Sequence, residues 1–200
     1  MQRSGVILAG GNSRRMGQDK RFMKLAGKSL LAWAVEQLRP WVDELIVVTA
    51  DPAVPLEDLG TRVAHDQYPG AGALAGIHAG LLAARGTWAF VMACDMPFLN
   101  IQLLDGLWQI AQTAPVDVVI PHRRQGLEPL HALYRPATCL PAIEAALNQQ
   151  RRRLISFYDA VKVRQVTSEE LAAWDPEGLS FCNVNTLQDF EEVRRRLKLR

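Results

Sequence analysis

Two hundred residues, 48% of them hydrophobic and 22% charged, suffice for one large core that buries roughly 70% of the extended chain's surface. That composition excludes disorder, collagen and coiled coil. Lys+Arg 23 against Asp+Glu 21 leaves +2, too little for a field that would wrap nucleic acid or bind an anionic membrane, so any anion must be handled locally.

Cys94, Cys139 and Cys182 are odd in number, widely spaced and without a CxxC pair, which argues against a disulfide framework or a zinc ribbon and for a reducing compartment. The N-terminal MQRSGVILAGG has too short an apolar run for a signal segment. No stretch approaches the ~18 apolar residues of a membrane span. A soluble, cytoplasmic protein is expected.

In chain order, GVILAG (5–10) reads as a first strand, followed by a glycine-rich, basic loop. SLLAWAVEQLR (29–39) places Leu31, Ala34, Val35 and Leu38 on one helical face. ELIVVTA (44–50) is a buried strand and TRVAHD (61–66) a shorter one. A helix over 73–85 precedes WAFVMA (88–93), a central strand that runs into Cys94-Asp95-Met96 and is stopped by Pro97. Asn100 caps a helix over 101–113, and VDVVIP (116–121) is another strand. RRQGLE (123–128) turns into PLHALY (129–134), a pair that suggests an antiparallel insertion. Beyond it the spacing predicts a helix over 137–148, a short one near 153–159 and an edge strand at KVRQV (162–166). Capping patterns at Thr167/Glu170 and Thr186/Asp189 follow, the second starting the final helix. Strands alternating with helices predict an α/β, single-domain, three-layer α/β/α sandwich with a Rossmann-like, mostly parallel sheet.

The loop Gly10-Gly11-Asn12-Ser13-Arg14-Arg15-Met16-Gly17-Gln18-Asp19-Lys20 leaves strand one, where open α/β sheets bind ligands. Its glycines let backbone N–H groups approach an anion, and Arg14, Arg15 and Lys20 supply charge, so phosphate is the expected target. A Walker A loop is excluded, because the only GKS, at 27–29, has Phe22 where the first glycine belongs. Gly70-Ala71-Gly72-Ala73-Leu74-Ala75 formally satisfies a dinucleotide fingerprint, but it does not follow the first strong strand and reads as a tight turn.

Asp95, presented after the central strand opposite a phosphate loop, suits Mg²⁺, which takes one or two carboxylates with phosphates and waters. Asp66 ends a strand before the glycine turn. A carboxylate there can accept from N1–H and N2–H₂ of guanine, a donor pair that neither adenine nor cytosine offers, or it can simply initiate the turn. His131 in PLHALY reads as a packed histidine. Asn183 and Asn185 flank Val184 in an extended stretch, which points both amides to one face. The Arg151–Arg153 and Arg194–Arg196 runs read as solvated faces, or as docking sites for an acidic partner.

LAGGNSRRMGQDK (8–20) resembles the signature LAGGxSxRMGxDK of the MobA family, the molybdenum cofactor guanylyltransferases, at every fixed position. HDQYPGAGALAG (65–76), ACDMPFL (93–99), PLHALY (129–134) and NVNT (183–186) extend the resemblance over nearly the whole chain in order. The resemblance implies nucleotide contacts at Leu8, Ala9, Gly10, Gly11, Lys20, Thr49, Asp66 and Asp95, the first glycines acting with Ala9 through backbone N–H groups. Thr49 stands where other members can carry Asn. It further implies catalytic roles for Lys20, Arg15 and Asp95, Mg²⁺ on Asp95, and acceptor binding at Asn183 and Asn185. The expected activity is transfer of GMP from GTP to a molybdopterin-type acceptor. Cofactor-receiving molybdoenzymes or chaperones are the implied protein partners. A cytidylyltransferase or another transferase of the same fold, and a nucleotide-binding carrier without turnover, are the competing readings.

Overall fold

A computed structural model describes residues 2–10, 23–25, 27–50 and 59–198. Strand β1 (Arg3–Leu8) leads to a hairpin of β2 (Lys24–Leu25) and β3 (Lys28–Ser29), then α1 (Leu30–Leu38), β4 (Glu44–Thr49), β5 (Arg62–His65), α2 (Ala73–Ala83) and β6 (Trp88–Ala93). Helix α3 (Ile101–Thr113), β7 (Val118–Arg123), β8 (Gly126–Leu127), β9 (His131–Tyr134) and α4 (Pro136–Asn148) come next. The chain ends with β10 (Val163–Val166), α5 (Ser168–Trp174) and α6 (Leu187–Lys198).

The eight-stranded sheet runs β10-β7-β9-β6-β1-β4-β5, with β8 on β7. β1 pairs parallel with β4 and β6, β4 with β5, and β10 with β7; β9 inverts the path, antiparallel between β6 and β7, and β8 also pairs antiparallel with β7. This is the expected mostly parallel sheet with an antiparallel insertion. Because side chains alternate along a strand, the sheet feeds two cores. Ile7, Val47, Phe90 and Leu133 face α1, α3 and α5 on one side; Val6, Val48, Val91 and Ala132 face α2 and α4 on the other. The three layers follow from that alternation. A third cluster, with Leu25, Leu30, Phe98, Val184 and Phe190, lashes α6 to the β2–β3 hairpin beside the sheet's carboxyl edge.

Local sequence accounts for most boundaries. Ser29 and Asn100 cap α1 and α3 by accepting the N–H groups of Ala32 and Gln102. Thr167 and Glu170 form a reciprocal capping box on α5, and Thr186 and Asp189 exchange bonds at the start of α6. Two expectations need correction: the region near 153–159 yields only a 3₁₀ turn at Tyr158–Ala160, and the 123–128 turn contains the short strand β8. The β2–β3 hairpin is an addition with no counterpart in the expected elements. Among the described residues no helix is long and apolar enough to cross a membrane.

Candidate functional site

The carboxyl ends of β1, β4, β5 and β6 lie side by side, so the residues that follow them form one edge of the sheet. Leu8 is buried in the core, its carbonyl accepting from Cys94 N–H at 3.1 Å. Ala9 extends the ladder, since its N–H donates to the Val48 carbonyl at 2.8 Å. That bond commits the Ala9 N–H to the sheet, where a nucleotide contact through the same N–H was expected. Gly10 is the last described residue before the basic loop, and Gly11, Arg14, Arg15 and Lys20 lie outside the described residues.

Thr49 ends β4 with its side chain buried, and its carbonyl lies 3.2 Å from Nδ1 of His65, its register partner on β5. Asp66, next along, turns Oδ1 onto the Tyr68 N–H at 2.6 Å. The turn-initiating role is therefore real, and it leaves Oδ2 for other work. The chain then passes Gly70 and Gly72, both at positive φ (76° and 72°), a conformation that favours glycine. Those glycines make a tight turn into α2, as expected of the apparent fingerprint.

Asp95 follows β6 and is 9% exposed. Two bonds from distant chain hold its segment: Val184 N–H donates to the Asp95 carbonyl at 2.9 Å, and Trp33 Nε1–H donates to the Pro97 carbonyl at 2.8 Å. The first bond brings the C-terminal stretch to the Asp95 main chain. Val184 is fully buried while Asn183 and Asn185 are exposed on either side of it, as the extended spacing predicts. Asn185 N–H and Thr186 N–H both donate to Asp189 Oδ2, and those bonds, with the Asn185 N–H first, hold the Asp189 carboxyl below its usual range. Beside Asn183 opens a cavity of about 780 Å³, walled by Phe98, Cys182 and the α6 residues Gln188, Val193 and Arg196. That volume is in the range of small-molecule sites.

The tertiary contacts of Trp33, Phe98 and Val184 have no counterpart in the local sequence, because their partners are distant in the chain. Conversely, His131 is a core residue as expected. It is fully buried, edge-on between the rings of Phe90 (5.0 Å) and Phe181 (5.1 Å). Among the described residues neither of its ring nitrogens has a hydrogen-bond partner. Burial pushes its pKa down to about 4, against a raising influence from Asp175 and with a further lowering one from Arg123. The α6 arginines are ion-paired along their own helix, Arg194 to Glu191 and both Arg195 and Arg196 to Glu192, which fits a solvated face.

Residues 5–163 match the MobA-like NTP transferase domain family. A protein of Desulfosudis oleivorans named molybdenum cofactor guanylyltransferase is 35% identical over 198 residues, covering 98% of this chain and 96% of its own. One of Pelotomaculum thermopropionicum, named a probable enzyme of the same kind, is 37% identical over 194 residues, covering 97% and 93%. The crystal structure of molybdopterin-guanine dinucleotide biosynthesis protein A from Archaeoglobus fulgidus superposes with a TM-score of 0.84 at 29% identity, covering 98% of this chain and all of that one. The 2-C-methyl-D-erythritol 4-phosphate cytidylyltransferase of Thermus thermophilus, at TM-score 0.70 and 17% identity over 96% of this chain and 98% of its own, shares the fold. With a family match over most of its length and relatives aligned nearly end to end, the chain belongs to the MobA-like NTP transferase domain family.

Proposed function

We propose that this protein is a guanylyltransferase that moves GMP from GTP to the terminal phosphate of a molybdopterin-type acceptor, releasing pyrophosphate. The relatives' names support the reaction class. The observation that carries the reading in this chain is the Val184–Asp95 bond. It ties the Asn183–Asn185 stretch, where the acceptor would bind, to the main chain of Asp95 at the nucleotide end, which supports a reading in which both substrates meet at one sheet edge.

An acceptor phosphate oxygen attacks the α-phosphorus of GTP, a new P–O–P bond forms, and the bond to the β-phosphate breaks with pyrophosphate carrying the electron pair away. A phosphate is already ionised near neutral pH, so no side chain has to take a proton. Catalysis then rests on positioning and on charge. Lys20 stabilises charge building on the α-phosphoryl group and on the departing pyrophosphate, and Arg15 steers the phosphates, with the Gly10-Gly11 backbone beside them. Asp66 turns its carboxylate to the guanine edge. Asn183 and Asn185 hold the acceptor, whose bulk the neighbouring cavity can house.

Asp95 fits Mg²⁺. A carboxylate at the carboxyl end of β6, with no cluster of further ligands among the described residues, is the donor set of an ion that keeps waters and substrate phosphates for its other positions. Such an ion, when bound, neutralises triphosphate charge. The test is pyrophosphate release with GTP, Mg²⁺ and molybdopterin. Release that needs all three supports the reading, and GTP binding without release favours a carrier.

A further inference from the structure

The Asp66–Gly72 turn is braced from outside the sheet edge it serves. The carboxylate of Asp66 is oriented by the Tyr68 N–H at 2.6 Å, so where Tyr68 sits decides where the second carboxylate oxygen points. Tyr68 closes the turn by accepting Ala71 N–H at 3.0 Å. Its ring stands edge-on to the ring of His78 on α2, with centroids 5.1 Å apart and planes at 89°. His78 is 1% exposed, and its Nε2 donates to Glu144 on α4 at 3.1 Å. A second arm comes from just beyond α4, where Arg152 donates to the Gly70 carbonyl at 3.2 Å.

A buried imidazole tied to a carboxylate on another helix is a costly way to fill core space, since each buried polar group must be compensated. Here it supplies a rigid edge for an aromatic ring whose own main chain aims the base-reading group. We infer that Tyr68, seated on the His78–Glu144 pair, is a specificity-positioning residue that sets the orientation of the Asp66 carboxylate toward the N1–H and 2-amino group of the purine. This rests on the reading that Asp66 contacts the base. The placement differs from a role in phosphate binding or chemistry, because the brace lies on the α2–α4 side of the β5 edge and Asp95 follows the central strand β6.

The probe is the ratio of kcat/KM for GTP to that for inosine triphosphate, which lacks the 2-amino group. Tyr68→Ala is expected to lower this ratio about tenfold, the worth of one hydrogen bond to a charged group. The loss should fall on KM for GTP, with kcat at saturating nucleotide held. Tyr68→Phe, which keeps the ring and the backbone N–H, should preserve the ratio. Glu144→Ala alters a half-exposed side chain and so spares the fold; it should lower the ratio about threefold by loosening His78. If Asp66→Asn lowers the ratio while Tyr68→Ala and Glu144→Ala leave it unchanged, the positioning role falls and the base contact stands. An unchanged ratio in Asp66→Asn overturns both. Equal losses with the two nucleotides in Tyr68→Ala and Glu144→Ala reduce the brace to a structural one and overturn the inference.

Discussion

Replacing His131 with leucine removes two buried ring nitrogens that lack partners among the described residues, while keeping an apolar side chain of similar bulk between Phe90 and Phe181. The informative quantity is how stability varies with pH. Burial lowers the folded-state pKa from 6.5 to about 4, so between those values the unfolded chain binds a proton that the folded chain refuses. Stability must therefore fall as the pH drops through 6.5 and level off below the folded value. At pH 4.5 one such histidine costs roughly 2–3 kcal/mol relative to pH 7.5. In His131→Leu that portion of the acid sensitivity disappears. At pH 7.5 two effects oppose each other: relief of unpartnered nitrogens is worth about 1–3 kcal/mol and the lost ring contacts about 0.5–1.5 kcal/mol each. The variant should consequently match or slightly exceed the parent there and exceed it clearly at pH 4.5. Urea unfolding of both proteins at the two pH values reads this out, with every other titrating group cancelling in the difference. Parallel losses in parent and variant would refute the claim that His131 is held neutral by burial.

Asp95→Asn should abolish Mg²⁺-dependent turnover without unfolding the protein, because the backbone bond from Val184 does not depend on the carboxylate; near-normal activity with a normal melting curve would remove Asp95 from the reaction. Lys20→Ala should cost about 2–4 kcal/mol of transition-state stabilisation, read as a drop in kcat/KM, and an unchanged rate excludes it from catalysis. Gly80→Ala places a Cβ 2.2 Å from Val6 Cγ1, where α2 crosses β1. Despite alanine's better helix propensity it should lower stability by about 1–3 kcal/mol, and a rise in Tm would contradict the close packing of that helix on the sheet.

Features set by residues near each other in sequence were legible from it. Helix α3 begins and ends where Asn100 and its apolar spacing put it, because the Asn100 cap and the stripe Leu103, Leu104, Leu107 act within one or two turns. Strand β6 likewise carries its own signal, a run buried on both faces, although it ends at Ala93 and turns at Cys94-Asp95 before Pro97, the residue expected to stop it, is reached. The β2–β3 hairpin was invisible: two-residue strands show no alternation, and only Gly27, at φ 86°, marks the turn. Of the candidate site residues, Asp95 and Asp66 could be picked out by residue type and place after a strand, and Asn183 and Asn185 by the extended spacing around Val184. What joins them was not, since the Val184–Asp95 bond and the Trp33–Pro97 bond depend on chain segments that meet only after folding. The same holds for Ala9, whose N–H looks available in a glycine-rich loop until β4 is laid beside it.

Guanylyl transfer to a phosphorylated pterin acceptor is tested most directly by incubating the protein with molybdopterin, Mg²⁺ and each of the four ribonucleoside triphosphates in turn and measuring the product's mass. A single product is expected, heavier than the acceptor by a bound GMP moiety and formed with GTP alone, with pyrophosphate released in equal amount. A cytidylyl product, or no mass increase with any nucleotide despite GTP binding, would contradict it.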